Sequence, residues 1–401
     1  MIEAQERGWW SSDRHVCAEC VSEHFLNSLV KSHADHATCD FCGVTSVEPA
    51  AAPLDVVLEA VADALLLHFS EPSSASAPWD DGNFMVSTYS TEDVLLGLNL
   101  ECADKVFEAI AGSFDNDVWV ESADGHWAAS PPNEILSYSW RNFEQTVKHR
   151  TRYFFQRTSG GSETHSAEIP AEEILNEICR LALEIGLIQV LPIGQKLYRC
   201  RLRASQDTWS LNREQLSAPP AELARAGRMN PAGISYLYTA LQSGTAIAET
   251  VGHPPVSLVM ASFTNVRQLT VLNFCNLPEL PSVFDAEQRS LREYLLFLHE
   301  FTTAISRPVN KDGREHIEYV PSQVVSEYFA QVLKHGDGRV GVDGIIYPSA
   351  VLPGGENLVL FPETRRANTQ FNHIKLAESK KLDLDDWRKL TSELYQADST
   401  Q

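Results

Sequence analysis

The sequence of 401 residues contains no uninterrupted apolar run of the about eighteen residues that a membrane-spanning helix requires. Its first ten residues, MIEAQERGWW, also lack the charged and then apolar layout of a secretory signal peptide. These absences predict a protein that does not enter a membrane. The cytoplasm is therefore the expected location.

Positive charge is scarce. The chain has 32 Lys and Arg against 54 Asp and Glu, which gives a formal net charge of -22. Such a charge repels phosphate backbones and removes the counterion release that drives non-specific nucleic-acid binding. Nucleic acid is therefore an unfavoured partner, although a local basic patch stays open. On most proteins a charge of this kind only keeps the surface solvated.

Two common nucleotide-binding motifs are missing as well. No G-x-G-x-x-G follows a predicted strand and no G-x-x-x-x-G-K-[ST] occurs, so neither a Rossmann site nor a P-loop is supported. From Gln195 onward, short β-rich runs alternate with polar turns, and helical stretches appear near 283–304 and 321–335. Because regular crossover helices do not separate the strands, the pattern predicts an α+β domain and disfavours a doubly wound sheet.

Half of the eight cysteines form two Cys-x-x-Cys pairs eighteen residues apart. Each pair places two thiolates on one turn, and four thiolates complete a closed tetrahedral shell, so we predict a structural zinc ion. The alternative is a set of redox or incidental thiols. The predicted ligands are Cys17, Cys20, Cys39 and Cys42. Four histidines nearby could replace one thiolate: His15, His24, His33 and His36.

Composition and periodicity divide the chain into four regions. Residues 1–50 are the zinc-binding module, and 51–190 are mostly helical, with an exposed Ser- and Pro-rich loop at 70–83. The predicted helices of this region are 54–69, 92–112, 133–156 and 171–187. The α+β domain covers 195–365, and a helical tail with an amphipathic stretch at 382–395 covers 366–401.

Six segments of the α+β region resemble the RES-domain family, whose members include NAD-degrading toxins of bacterial toxin–antitoxin pairs. In order, they are LYRCR (197–201), GRMNPAG (227–233), LYTA (237–240), AIAE (246–249), IEYVPSQVVSEYF (317–329), and YPSA followed by GGENLVLF (347–361). The resemblance implies an ADP-ribosyltransferase-like mixed α/β fold for this domain. The residues ahead of it resemble the zinc-bearing HEPN/RES N-terminal domain of longer members.

The resemblance places the functional set on Arg199, Arg228, Tyr238, Glu249 and Ser349. Guanidinium groups recognise phosphate oxygens with paired hydrogen bonds, so the two arginines are expected to bind the pyrophosphate of NAD. A carboxylate stabilises an oxocarbenium-like sugar, which makes Glu249 the candidate catalytic group. If Thr245 caps a helix, Glu249 sits near its first turn, where the dipole favours the ionised form.

The remaining roles are less specific. Tyr238 is expected to present its ring to a base or ribose, and Ser349 to hold a phosphate or ribose oxygen. Tyr319 and Gln323 belong to a recurring segment of the family and are equally compatible with scaffold and with contact. HEPN ribonucleases need an arginine and a histidine separated by four to six residues, whereas Arg141 and His149 have seven between them.

The leading function is therefore cleavage of the nicotinamide–ribose bond of NAD, by water or by phosphate. Transfer of ADP-ribose to a macromolecule and a non-enzymatic zinc-dependent interaction protein are the alternatives. An antitoxin or regulatory protein is an expected partner. The N-terminal extension could inhibit, sense or recruit, and the oligomeric state stays open, with a homodimer among the alternatives.

Overall fold

The computed structural model describes residues 8–155, 168–171, 173–203, 211–250, 257–308, 313–336, 338–363, 371–382 and 386. These residues form two compact units. The first unit contains the residues up to Ile135 together with Glu279–Leu296. The second contains Leu136–Pro278 and the residues from Phe297 onward.

The first unit combines four helices with short strand pairs. Its helices are α1 (His24–Ser32), α2 (Leu54–His68), α3 (Thr91–Gly97) and α4 (Asp104–Ala111). Its antiparallel pairs are β1 (His15–Cys17) with β2 (Ala51–Pro53), β3 (Phe69–Ser70) with β6 (Val120–Glu121), and β4 (Trp79–Asp80) with β5 (Asn83–Phe84). The cysteine-rich segment and α2 share one hydrophobic core, to which Val16, Leu26 and Leu58 contribute fully buried side chains.

Local sequence signals explain where α3 begins and ends. Ser90 and Asp93 form a capping box at the start of α3, because each side chain bonds the other residue's backbone N–H. The sequence predicts one helix over 92–112, but the structure has two, α3 and α4. Asn99, just beyond α3, has φ 57°, a left-handed conformation that ends a helix and that asparagine tolerates better than most residues.

The second unit combines a large sheet with several helices. The helices are α5 (Pro132–Gln145), α6 (Ile174–Glu184), α7 (Arg213–Leu216), α8 (Ser243–Ala248), α9 (Arg289–Ser306), α10 (Glu315–Glu318) and α11 (Val320–Gln331). Both α5 and α9 begin in the first unit, and α5 continues as a π-helical turn (Thr146–Arg150). Aromatic rings of α5 and α9 pack together, with Trp140 and Phe301 centroids 5.0 Å apart. Such edge-to-face packing stabilises a helix pair beyond the area that it buries.

Eight strands form the sheet, in the order β16, β10, β8, β9, β15, β14, β11, β7. All neighbours are antiparallel except β11 and β14. The strands are β7 (Ile188–Leu191), β8 (Lys196–Arg203), β9 (Leu237–Ala240), β10 (Ser257–Asn265), β11 (Leu269–Asn273), β14 (Gly344–Pro348), β15 (Glu356–Leu360) and β16 (Ile374–Leu382). A separate hairpin pairs β12 (Lys334–His335) with β13 (Arg339–Val340). The predicted α+β class is confirmed.

The region predicted as a helical tail begins differently. Ile374–Leu382 form β16, the edge strand that pairs with β10, so these nine residues belong to the sheet and not to a helix. The amphipathic stretch at 382–395 lies outside the described residues, apart from Leu382 and Asp386. The predicted domain boundaries stay a prediction. Among the described residues, no helix is both long and apolar enough to cross a membrane.

Candidate functional site

A gap between two central strands positions Arg199. Strands β8 and β9 pair only at Tyr198 and Ala240, and Arg199 Nη1 donates to the backbone oxygen of Tyr238 at 2.9 Å. Its Nε is buried and has no hydrogen-bond partner within the described chain. Burial, with the nearby charge of Arg201, lowers the pKa of Arg199 to about 9. The guanidinium is thus a cation at neutral pH, and its buried Nε–H is still unused.

Two side chains, one on β15 and one just beyond the end of β14, hold the carboxylate of Glu249. Its Oε1 accepts a hydrogen bond from Ser349 Oγ at 2.7 Å and another from Asn357 Nδ2 at 2.6 Å. Among the described residues, nothing donates to its other oxygen. Ser349 is itself oriented, because its Oγ accepts from the backbone N–H of Leu352 at 3.1 Å. One carboxylate oxygen is therefore fixed, and the second is left for another partner.

The predicted position of Glu249 in a first helical turn is wrong. Helix α8 begins at Ser243, with Gln242 as its N-cap, and Glu249 is the C-cap residue. Thr245 is buried inside the helix, where its Oγ1 donates to Gln242 Oε1 at 3.0 Å. The carboxylate therefore lies at the negative end of the helix dipole and gains nothing from it. Its hydrogen-bond donors lie instead on β15 and just beyond β14.

The phenol of Tyr238 is bound by the protein itself. Its hydroxyl donates to Asn230 Oδ1 at 2.7 Å and accepts from the backbone N–H of Met229 at 3.0 Å. Gly227 makes this contact possible, since a Cβ there would lie 2.6 Å from Asn230 Oδ1 and 2.8 Å from the Tyr238 hydroxyl. Burial raises the pKa of Tyr238, so the phenol stays neutral.

These groups meet in a cavity of about 240 Å³. Three predicted residues line it, namely Arg199, Tyr238 and Glu249, and Ser349 contacts Glu249 directly. Two further lining residues, Tyr347 and Asn357, were missed by the sequence analysis. Asn357 gave a detectable signal, because it is a polar residue at a buried position of the otherwise apolar segment NLVLF. Burial also raises the pKa of Tyr347, which therefore stays neutral.

Arg228 is placed differently from the other predicted residues. Its Nη1 donates to the backbone oxygens of Ile305, at 3.2 Å, and of Arg307, at the end of α9. Its Cζ lies 5.9 Å from the centroid of the Tyr319 ring. Arg228 is not among the described residues that line the cavity. Its charge is nevertheless close enough to oppose the effect of burial on the pKa of Tyr347.

The segment around Tyr319 and Gln323 supports the turn that carries Arg228. Gln323 Nε2 donates to the backbone oxygens of Gly227, at 2.8 Å, and Asn230, at 3.0 Å. Ser322 Oγ, from the same helix α11, donates to the backbone oxygen of Arg228. Helix α11 therefore fixes the backbone of the turn, and through Asn230 it fixes the phenol of Tyr238.

The four cysteines of the two Cys-x-x-Cys pairs form a compact cluster in the first unit. Their sulfur atoms all lie within 4.8 Å of one another, and three measured Sγ–Sγ distances are 3.6, 3.7 and 3.9 Å. A tetrahedron of thiolates about 2.3 Å from a metal has edges of about 3.8 Å, so the cluster can hold a metal ion. No described histidine belongs to the cluster; the His15 ring stacks on His36 instead, 4.4 Å between centroids.

Backbone groups favour the thiolate form of one of the four cysteines, Cys39. The Cys17 N–H donates to Cys39 Sγ at 3.3 Å. Burial alone would raise the pKa of Cys39, but this and other backbone N–H groups outweigh it and lower the pKa to about 7. Donors of this kind stabilise a metal-bound sulfur. The four cysteines outside the pairs are free thiols: Cys102, Cys179, Cys200 and Cys275.

Among the described residues, no contact joins Arg141 to His149. Arg141 Nε donates to the backbone oxygen of Ser137 at 3.2 Å and lies 3.8 Å from Glu300 Oε1. His149 is exposed on the π-helical turn that follows α5. The change of helical register between the two residues alters the spacing that a helix would give them.

An α+β unit in which an arginine and an anchored carboxylate face one cavity defines a candidate binding site for a small polar ligand. Comparison with protein families places this unit: residues 196–385 match the RES domain, and residues 32–160 match HEPN/RES N-terminal domain 1. The chain is therefore a RES-domain protein with an N-terminal domain of the HEPN/RES type. No curated protein matches the chain significantly.

Proposed function

We propose that this protein consumes NAD by cleaving the bond between nicotinamide and ribose, as a bacterial toxin or defence effector. The observation that carries the proposal is the carboxylate of Glu249, whose Oε1 is held by Ser349 and Asn357. The other oxygen is available in a cavity that Arg199 and Tyr238 also line. The match to the RES domain supports an enzyme that acts on NAD.

Glu249 is the catalytic residue of this proposal. When the glycosidic bond breaks, nicotinamide leaves with the bonding electron pair and the ribose becomes an oxocarbenium-like cation. A carboxylate beside the anomeric carbon lowers this barrier, because its charge opposes the charge that develops in the transition state. Fixing one oxygen through two donors avoids reorganisation during the reaction.

The cations bind the substrate. Arg199 Nε is a buried donor without a partner in the described chain, which suits it to a phosphate oxygen of the dinucleotide. Arg228, whose guanidinium is bound to the end of α9, supplies a second positive charge. Tyr238 offers its ring to the ribose or base, because its hydroxyl is already bound to Asn230. Ser349 acts by positioning Glu249.

The acceptor is water or phosphate. Attack of water on the cation releases a proton and gives ADP-ribose, whereas attack of a phosphate oxygen gives ADP-ribose phosphate. Both reactions use the same carboxylate, so the choice depends on which acceptor the cavity admits. A protein or nucleic-acid acceptor would convert the same chemistry into ADP-ribosyl transfer.

The remaining parts of the proposal concern architecture and partners. The metal of the cysteine cluster is zinc with a structural role, since four protein thiolates leave no open coordination position for catalysis. The eight-stranded sheet is the ADP-ribosyltransferase-like fold of the RES domain. An antitoxin or regulatory protein is the proposed partner, and the N-terminal domain inhibits, senses or recruits.

The test is incubation of the full chain with NAD, with and without phosphate, and identification of the products by mass spectrometry. Glu249→Gln keeps the shape and an acceptor oxygen for Ser349 but removes the charge, and we expect kcat to fall about 10²–10³-fold. Glu378→Gln makes the same change on the exposed edge strand β16 and is the matched control.

Each outcome separates the alternatives. Free nicotinamide with ADP-ribose indicates hydrolysis, and free nicotinamide with ADP-ribose phosphate indicates phosphorolysis. Label from NAD on a macromolecule indicates transfer. Intact NAD after long incubation supports the non-enzymatic interaction protein, and equal rates for Glu249→Gln and the control remove Glu249 from the mechanism.

A further inference from the structure

A second cavity shares two lining residues with the first, Arg199 and Tyr238. It has a volume of about 270 Å³ and lies entirely within the second unit. Its other walls include Pro219, Leu223, Ala224, Arg225 and Tyr236. None of these residues belongs to the set that the sequence predicted for the active site.

The charge of this second cavity is opposite to that of the whole chain. Two arginines line it, Arg199 and Arg225, and no carboxylate occurs among its described lining residues. The chain as a whole carries a net charge of -22. Arg225 is exposed and has no ion-pair partner within the described part of the chain, while Arg199 Nε is a buried donor without one. The second cavity is therefore suited to an anion.

The size and the lining of the two cavities also indicate the kind of ligand. Each cavity alone is smaller than the about 300 Å³ at the lower end of ligand pockets, but together the two fall within that range. The second cavity has apolar walls from Pro219, Leu223 and Ala224, which suit a flat ring system. The ligand of the second cavity should thus combine an apolar ring with a phosphate.

We propose that the second cavity binds the adenosine monophosphate half of the dinucleotide, with Arg225 contacting its phosphate. This inference rests on the proposed function, because it assumes that the nicotinamide and its ribose occupy the first cavity beside Glu249. Arg199 lines both cavities, so in this proposal it binds the linking phosphates. Arg225 is then a substrate-specificity residue that acts on one half of NAD only.

Binding of adenosine monophosphate to the full chain, measured by calorimetry, tests the second cavity without catalysis. Arg225→Glu reverses the charge at an exposed position, and we expect the Kd to rise at least about tenfold, because repulsion replaces a charge-assisted contact. Arg339→Glu makes the same change on β13, away from both cavities, and should leave the Kd unchanged. Equal binding of inorganic phosphate would overturn the assignment of the adenine ring.

Steady-state kinetics with two substrates provide the second measurement. Nicotinamide mononucleotide lacks the adenosine half, so Arg225→Glu should raise the KM for NAD about tenfold and leave the KM for the mononucleotide nearly unchanged. Equal effects on both substrates would overturn the inference. If the unaltered protein releases no nicotinamide, the proposed function fails, whereas the calorimetric result still decides whether the second cavity binds the nucleotide.

Discussion

The cysteine cluster and the Glu249 cavity are built in opposite ways. The cluster takes all its ligands from Cys17 to Cys42, and its sulfurs are within bonding reach of one ion. The cavity takes its groups from Arg199 to Asn357, and the pairing of strands brings them together. A local site of the first kind depends on its metal, whereas a site of the second kind depends on sheet register. The predictions below test this difference.

Loss of the metal should have the largest effect, and only on the first unit. Structural zinc contributes about 10–16 kcal/mol in small zinc-binding peptides, although a shared hydrophobic core reduces its share here. Cys20→Ser or a chelator should therefore abolish amide protection around β1 and β2. Hydrogen exchange and metal analysis measure this, and Cys102→Ser, outside the cluster, is the control.

The same experiment examines the second unit. We expect the amides of β8, β9 and β15 to keep their protection when the metal is removed, because backbone bonds within the sheet maintain the cavity. Equal loss of protection in both units would show that the cavity depends on the cysteine cluster. The contrast between the two sites would then be wrong.

A single methyl group added at Gly227 should disturb Tyr238, which lines the cavity. Gly227→Ala places a Cβ within 3 Å of both Asn230 Oδ1 and the Tyr238 hydroxyl, and such overpacking costs about 1–3 kcal/mol. Gly97→Ala is the control, since nothing lies within 4 Å of a Cβ there. Denaturant unfolding should show a loss for the first variant only. No loss at Gly227 would mean that the turn can move away from Tyr238.

A charge change at Asn357 tests the contact to the catalytic candidate. Asn357→Asp removes a donor and places a second carboxylate beside Glu249, so like-charge repulsion should displace the catalytic carboxylate from the position that Asn357 holds. We expect kcat for nicotinamide release at neutral pH to fall at least about tenfold. Asn276→Asp is the exposed control. An unchanged kcat would show that Asn357 does not hold the carboxylate during turnover.

The same contrast explains how much of each site can be predicted from the sequence alone. The cysteine cluster was predictable because two short spacings define it. The residue types of the cavity were predictable only from the order of six family segments. Asn357 was missed because its contact with Glu249 spans 108 positions and depends on the pairing of β15 with β9. The one-residue bridge between β8 and β9, which leaves room for Arg199, has no sequence signature.

The predicted start of α8 was wrong for a related physical reason. Thr245 is a good N-cap residue, but the N-cap of α8 is Gln242, whose side chain makes no capping bond and instead contacts Thr245 and Glu356 of the neighbouring strand. Tertiary contacts therefore shifted the helix by three residues and moved Glu249 from its first turn to its end. The sequence indicated strands after Gln195, whereas β16 and the order of the strands in the sheet required the structure.

The smallest expected effect is the loss of folding stability when the pH falls and His373 becomes protonated. The ring of His373 is 5 % exposed, and burial, together with the charge of Arg267, lowers its pKa below the ordinary 6.5. The unfolded chain therefore takes up a proton first, so this contribution to stability is complete above pH 6.5 and is lost as the pH falls below it. One proton limits the slope to about 1.4 kcal/mol per pH unit. Denaturant unfolding between pH 7.5 and 5.5 should show this slope, and His373→Gln should reduce it.

The exposed His299→Gln serves as the control and should leave the slope unchanged. The cysteine cluster should respond more steeply over the same range, because several thiolates compete with protons for one metal. Hydrogen exchange assigned to each unit can separate the two slopes. A shallow response in the first unit and a steep one in the second would reverse the contrast, since it would make the sheet, and not the metal site, the acid-sensitive part of the chain.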